Sequence, residues 1–565
     1  VLIRRFWPPL AAAAGLAVMA LLASPASAVV VPNPVTLSAP GAVLSLTPTG
    51  SYDTGIFDES AAEIVEFYAK GKRLLKVNAA AGEVEVLSIA DPARPTRLFA
   101  LQTTGVTAAD GSVIPAGAVA NSVAVREDDG LGVVAVESDR KTDAGWLVFF
   151  DAAGTGAALG AVRVGALPDM VTITPDGDRA VVANEGEPAE DYSVDPEGSI
   201  SIIELPRHVE TVGQSAVRTA GFHAFEGAGL PAGIRVFGGR ADAGTGTPAF
   251  PVSEVLEPEY IAVDEHSDTA YVTLQEANGM AVVDLRSAKV EKIWPFGTVD
   301  HNVVPFDASD RDGAVNIRTW PVQAYRLPDT VATFKVKSTT YLITADEGDT
   351  RDWDGYSEVV RVKDLGSGGL KPICPSVAEA AGMTVADLRK DANLGRLNIT
   401  KAQGLSADGS CYSTLYAYGG RGFSIWTTDG KLVSSSAAQF EQLTAQALPT
   451  FFNSNHTEVA FDGRSDDKGP EPEGVTVGEI ERRLYAFVGL ERVSGIFVYD
   501  VTDPRSPAFV TYVNNRDFAG NTGDLGPEGL AFLSDSDSPT RRPLLAVGNE
   551  VSGSTTVYTV DVPRR

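Results

Sequence analysis

The sequence predicts an all-β fold: a single seven-bladed β-propeller of four-stranded blades, closed by an N-terminal strand, with long loop insertions on one face. Three observations lead there. Short β-rich runs are divided by Gly, Asp, Asn and Pro turns. Amphipathic helical pattern is confined to residues 376–390 and 437–447. One supersecondary unit recurs seven times at a shortest spacing of about fifty residues, the size and strand content of a propeller blade.

The chain opens on a short basic region, Arg4 and Arg5, then an apolar run over 9–23 and the small-residue site Ala26-Ser27-Ala28. Residues 1–28 read as an export signal. Residues 29–50 are expected to supply the closing strand, carried by "PGAVLSLTPTGSYDTG" (40–55), because the last unit runs out after its third strand at Val562. Closure by the two chain ends would remove exposed sheet edges. Residues 51–565 form the propeller.

The unit is clearest in "LPDMVTITPDGDRAVVANEGEP", "EPEYIAVDEHSDTAYVTLQEANGMAVVDL", "EPEGVTVGEIERRLYAFVGLERVSGIFVYDV" and "GPEGLAFLSDSDSPTRRPLLAVGNEVSGSTTVYTV". In each, an acid precedes an alternating apolar strand, a polar turn follows, and a second apolar strand runs into Glu. Two more copies start at "AAEIVEF" and "ANSVAVR". A seventh, "LPDTVATFKVKSTTYLITADEG", is interrupted and resumes at "STLYAYGGRGFSIWTTDG". An eighth blade beginning near Gln403 is the competing count. Insertions fall at 207–256, 298–327, 346–411 and 437–469, between blades or after second strands, whereas turns such as 176–178 on the opposite face are tight. Function usually sits where loops are long.

Net charge is −28, from 74 acidic and 46 basic residues. Nucleic acid is therefore not an expected partner, since phosphate binding needs a basic footprint. Apolar residues make up 44% of the chain, enough for a core. Beyond the N-terminal segment no apolar run is long enough to span a membrane. An exported protein, secreted or periplasmic, is expected, and a monomer. The two cysteines, Cys374 and Cys411, are free to pair in an oxidising compartment. A bridge there would add roughly 3–4 kcal/mol on the chain-entropy model; two buried thiols are the alternative.

Aligning the residue before each first strand gives a ring of Glu63, Asn121, Asp169, Glu259, Asp329, Glu473 and Glu528. The ends of the second strands give Asn78, Glu137, Glu185, Glu276, Glu347, Glu491 and Glu550. First and second strands are antiparallel, so both rings converge at one mouth of the central channel. Like charges there disfavour one another's ionisation unless a cation intervenes. The bland alternative is that each acid accepts backbone N–H bonds from a neighbouring blade. Denser clusters favour the cation: Glu185 and Glu187; Asp346, Glu347 and Asp349; Asp466, Asp467 and Glu473. With Glu528 and Glu550 these form the candidate metal ligands. All-oxygen donors suit calcium, with magnesium possible. The five histidines are scattered without HExxH spacing, and no P-loop, CxxC or dinucleotide fingerprint occurs, so no zinc, haem or nucleotide is expected. The acid-rich run 344–358 fails the EF-hand template: with Gly355 as the turn glycine, positions one and twelve are Thr350 and Arg361. Arg351, Arg464 and Lys468 stand among the acids, either as phosphate contacts or as neutralising partners.

Several long motifs then carry a resemblance: "ANEGEP", "TADEGDTRDW", "LYAYGGRGFSIW", "FDGRSDDKGPEPEGV" and "GNEVSGSTTVY". From about Ser51 to the end the chain resembles the choice-of-anchor I family of secreted and surface bacterial proteins. The resemblance implies one propeller, related to the YVTN-like, quinoprotein-like and phytase-like propellers, and members often labelled alkaline phosphatase or esterase-like. It brings no set of catalytic residues. Relatives often end in an anchoring tail, whereas "VDVPRR" directly follows a strand, so no C-terminal anchor is visible. Two functions are expected. One is a secreted, non-catalytic calcium-binding propeller whose mouth meets a ligand or cell-surface component. The other is a calcium-dependent phosphomonoesterase acting on a small phosphorylated ligand, with Arg464 and Lys468 as phosphate contacts.

Overall fold

Period-two alternation of Val, Ile, Leu and Ala with polar residues puts one apolar row on each side of a strand, and buried strands need both rows covered. The computed structural model describes residues 30–237 and 251–562, so the export signal and part of the 207–256 insertion lie outside the described residues. Among the described residues are seven sheets of four or more strands, spanning 65–102, 119–166, 168–221, 258–295, 331–435, 472–514 and 527–561. All pairings within them are antiparallel, and each sheet runs outward from its first strand.

Each sheet packs face to face on the next. Leu75, Val77 and Val86 of the first meet Val123, Val134 and Val148 of the second. The series continues through the remaining sheets. Val65, Phe67 and Leu87 of the first sheet then pack on Ala531, Leu544 and Val557 of the seventh. Each such Val, Leu or Phe side chain contributes about 1.5–3 kcal/mol on burial. The first strands also sit side by side in series, with Val65–Tyr68 beside Pro527–Leu533.

The N-terminal strand Ser45–Asp53 pairs with Ser554–Asp561, as the outermost strand of the seventh sheet. A further strand, Val35–Ser38, adds to Ala508–Asn514 as a fifth strand of the sixth sheet, which the repeat gave no reason to expect.

The interrupted unit differs from the expectation. Its third strand is Gly422–Thr427, paired with Thr339–Asp346. The preceding Leu415–Tyr418 leaves the sheet and pairs in parallel with Val322–Tyr325. The reason is burial: Leu415, Ala417, Val322 and Ala324 share an accessory core with Phe306, Trp320, Val362, Ile373 and Leu388. Insertions 298–327 and 346–411 thus fold together as one unit, with two short helices, Pro375–Ala380 and Val385–Leu388, where the sequence suggested one. Cys374 and Cys411 are joined as a disulfide in this unit, with Cα atoms 5.1 Å apart. The segment near Gln403 lies in the same unit and enters none of the seven sheets.

Truncation separates the two N-terminal strands. Removing residues through Pro40 strips only the fifth strand of a complete sheet, and a soluble monodisperse protein is expected. Removing residues through Asp53 bares the edge of Ser554–Asp561, and aggregation is expected. Size-exclusion chromatography with light scattering reads both.

Candidate metal centre where the first strands converge

The ring acids are placed by a local device. In five sheets the register slips at the start of the first strand: between Ala120 and Ser122, Pro168 and Met170, Pro258 and Ile261, Pro472 and Val475, and Pro527 and Leu530. Asn121, Asp169, Glu259, Glu473 and Glu528 sit in these slips. A bulge bends the strand and re-aims a side chain, and Pro, which has no N–H to give the ladder, is tolerated at a strand start. Gly474 and Gly529 allow the inner strands to meet: a Cβ on Gly474 would lie 2.0 Å from the Glu528 carbonyl oxygen, and one on Gly529 2.7 Å from the Val65 nitrogen.

These starts enclose a cavity of about 220 Å³ lined by Glu63, Asn121, Glu137, Asp169, Glu185, Glu187, Asp329 and Glu528, with Ile64, Leu167, Met170, Tyr260 and Thr330. Both predicted rings contribute to it. Burial, reinforced by the surrounding carboxylates, holds Glu63, Glu185, Asp329 and Glu528 well above the ordinary carboxylate range. For Asp169, burial and the charges of Glu187 and Glu137 push the value to about 7.

Glu185, which lines this chamber, forms with Glu259 and Glu276 a group whose oxygens all lie within 4.8 Å of one another. Glu185 follows the second strand of the third sheet, Arg179–Asn184, and Glu259 and Glu276 belong to the fourth. All three are buried, and neither Glu259 Oε2 nor Glu276 Oε2 accepts a hydrogen bond. Burial followed by the Glu276 and Glu185 charges raises Glu259 well above its usual range. Glu276 is pushed to about 7 by burial, against the lowering effect of Arg351. The ring position of Glu259 was legible; its meeting with Glu276 was not.

A second group, Glu347, Glu471 and Glu491, has equally close oxygens but is already neutralised. Lys468 Nζ lies 3.0 Å from Glu347 and 3.1 Å from Glu471. Arg492 pairs with Glu471 and Glu491 at 2.9 Å, Arg464 with Glu471 at 2.5 Å, and Gln275 donates to Glu347 at 2.9 Å. Burial alone would raise Glu471, but Arg464, Arg492 and Lys468 outweigh it and hold the carboxyl well below its usual range.

The other candidate ligands scatter. Glu187 lines the chamber and pairs with Lys141 at 3.0 Å. Asp349 carries a charge felt by Glu187, Glu276 and Asp329, and accepts the Thr350 N–H. Asp346 is held by Arg326 at 3.0 Å with Ser424 and Thr344. Asp466 pairs with Arg361 and Arg396, and Asp467 with Arg464 and Asn398. Glu550 accepts from Ser60. Glu473 and Glu528 each keep one buried oxygen without a hydrogen bond.

All three basic candidates for phosphate are committed to acids. Arg351 makes a bidentate pair with Glu257 and also donates to the Val255 carbonyl and Tyr192. Its loop crosses this end of the molecule: Gly355 N–H donates to the Glu190 carbonyl, Glu358 pairs with Arg235 at 2.6 Å, and Trp353 lies under Lys141.

The match to known proteins covers most of this span. The choice-of-anchor I domain family model covers residues 63–504. The chain belongs to the choice-of-anchor I family. Similar proteins include Gigasin-3a of Magallana gigas, 30% identical over 194 residues, which cover 31% of this chain and 68% of that protein. The Mesenchyme-specific cell surface glycoprotein of Strongylocentrotus purpuratus is 26% identical over 284 residues, covering 45% of this chain and 36% of its own length. Among solved structures, Kuenenia stuttgartiensis hydrazine synthase aligns over 90% of this chain and 99% of its own at 12% identity and a TM-score of 0.43. The Cps50 (Swd1) β-propeller domain of Myceliophteria thermophila aligns over 92% of this chain and 100% of its own at 10% identity and a TM-score of 0.41. No helix among the described residues is long and apolar enough to cross a membrane.

Two outcomes follow from the charges. Lys468→Met leaves Glu347 and Glu471 short of a buried cation and is expected to cost about 3–5 kcal/mol in chemical denaturation. Asp169 and Glu276 bind their protons more tightly folded than unfolded. That contribution is full below the ordinary carboxylate range and is lost as pH rises through about 7. In chelator, the melting temperature is expected to fall between about pH 5 and about pH 8.

Proposed function

We propose that the seven sheets are the blades of one closed propeller, exported from the cell, whose acidic channel mouth binds calcium and, with its long loops, meets a ligand or surface partner. The observation that carries this reading is the Glu185–Glu259–Glu276 group, buried and close enough to share one ion, with two carboxylate oxygens lacking any partner. A buried anionic oxygen without a partner is costly, and a bound cation removes that cost. Calcium is favoured over magnesium because several protein carboxylates can enter its flexible shell, whereas magnesium keeps much of its water.

The phosphomonoesterase reading has less support. Its three proposed phosphate contacts, Arg351, Arg464 and Lys468, are each engaged by Glu257, Glu471 or Glu347. Freeing Arg351 or Lys468 would leave buried Glu257 or Glu347 without its cation, and freeing Arg464 would take one of three cations from Glu471.

Isothermal titration of the purified protein with calcium tests the reading. Saturable binding is expected, lost in the Glu259→Gln/Glu276→Gln double variant, with affinity rising with pH as the ligands shed protons. Binding unchanged in the double variant would refute the site. Hydrolysis of p-nitrophenyl phosphate and phytate is expected to be nil with or without calcium; calcium-dependent turnover would restore the enzyme reading.

A further inference from the structure

A second unsatisfied oxygen site lies outside the channel, where two insertions meet. Asp307 comes from the 298–327 insertion, Glu441 from the helix Gln439–Ala447, and Asn453, Asp462 and Ser465 from the loop after that helix. Hydrogen bonds run through them as a chain. The Asp307 N–H donates to Glu441 Oε2 at 3.1 Å. Asn453 Nδ2 donates to Glu441 Oε1 at 3.0 Å and to Ser465 Oγ at 2.8 Å. Ser465 Oγ donates to Asp462 Oδ1 at 2.5 Å.

Two oxygens in this hub have no donor: Asp462 Oδ2 and Asn453 Oδ1. Asp462 is 1% exposed and Asn453 fully buried. Both side chains are fastened to the same hydroxyl, that of Ser465, through Asn453 Nδ2 and Asp462 Oδ1, which places the two residues in one hydrogen-bonded cluster. The amide cannot simply be reversed, because Nδ2 already serves two acceptors. Asp307, Asp312 and Glu441 bring further negative charge to Asp462. The guanidinium present, Arg421, is spent on Glu441 and on the carbonyls of Asp307, Ser465 and Asp467.

A conformational account covers only part of this. Asn453 and Asp462 both have left-handed backbone, φ +42° and +65°, where Asn and Asp are the non-glycine residues best tolerated. That explains the residue types. It gives no reason for two buried oxygens to lack partners beside a concentration of carboxylates.

We infer that Asp462 Oδ2 and Asn453 Oδ1 bind a divalent cation of the calcium class, with Asp307 the neighbouring compensating carboxylate, and that this ion pins the 298–327 and 437–469 insertions to each other. The donors are carboxylate and amide oxygens without nitrogen or sulfur, the set that hard cations take. Its role is to order loops, separate from the chamber.

Equilibrium dialysis of the full chain against calcium alone tests this. Asp462→Asn is expected to lower the number of bound ions by one while the Glu259→Gln/Glu276→Gln variant loses a different one, and the combined variant loses both. Loss at Asp462 with no change at Glu259 and Glu276 would support this site and refute the channel site; the converse would overturn this one. Hydrogen exchange on the unmodified protein needs no substitution. Slower exchange over residues 307–316 and 453–465 in calcium than in chelator is expected. Identical rates, or protection that follows pH alone, would mean that Asp462 holds a proton instead and would overturn the proposal.

Discussion

Seven sheets that bury both faces against one another must bring their first strands together, and whatever side chain stands at each first-strand start is then forced into common space. In this chain it is nearly always a carboxylate. The apolar packing of sheet on sheet is non-directional and large, so it sets the geometry, and the electrostatics must accommodate it. Raised proton affinities around the chamber are the direct physical consequence.

The protein meets this concentration of charge in two ways. Around Glu471 it supplies Lys468, Arg464 and Arg492, so that a buried carboxylate stays ionised. Among the described residues no cation pairs with the carboxylates of Glu185, Glu259 and Glu276; Arg351 is near but is bound to Glu257, and Arg235 reaches only the Glu276 carbonyl. The contrast distinguishes a structural ion-pair knot from a site with coordination capacity to spare. Two triads of glutamates that look alike by distance alone differ in chemistry because of three basic side chains.

The insertions follow the same logic at a smaller scale. Residues 298–327 and 346–411 are not loose loops but a unit with its own core around Trp320, Ile373 and Leu388 and a disulfide. They draw Leu415–Tyr418 out of the repeat to cover that core. The loop through Arg351 and Gly355 then ties this unit to the third and fourth sheets, so the charged mouth is bordered by a folded layer.

The repeat itself was readable because propeller-like units are local: acid, strand, turn, strand, with period-two alternation to mark each strand. It located Glu63, Asp169, Asp329 and Glu528 around one chamber, and the N-terminal strand beside the last, from spacing alone. The recurring Pro–acid pair at 168–169, 258–259, 472–473 and 527–528 was a further signal, and the register slips show its use. Tertiary structure alone decided which acids keep a free oxygen. Arg351 and Glu257 are 94 residues apart, and Lys468 and Glu347 are 121 apart. Hydrophobic alternation carries no record of such partners, because a salt bridge depends on where two distant loops are brought by packing. Sequence therefore determined the repeated strand units and the acids at their first-strand starts; only the fold determined which of those acids are paired with a basic side chain and which are not.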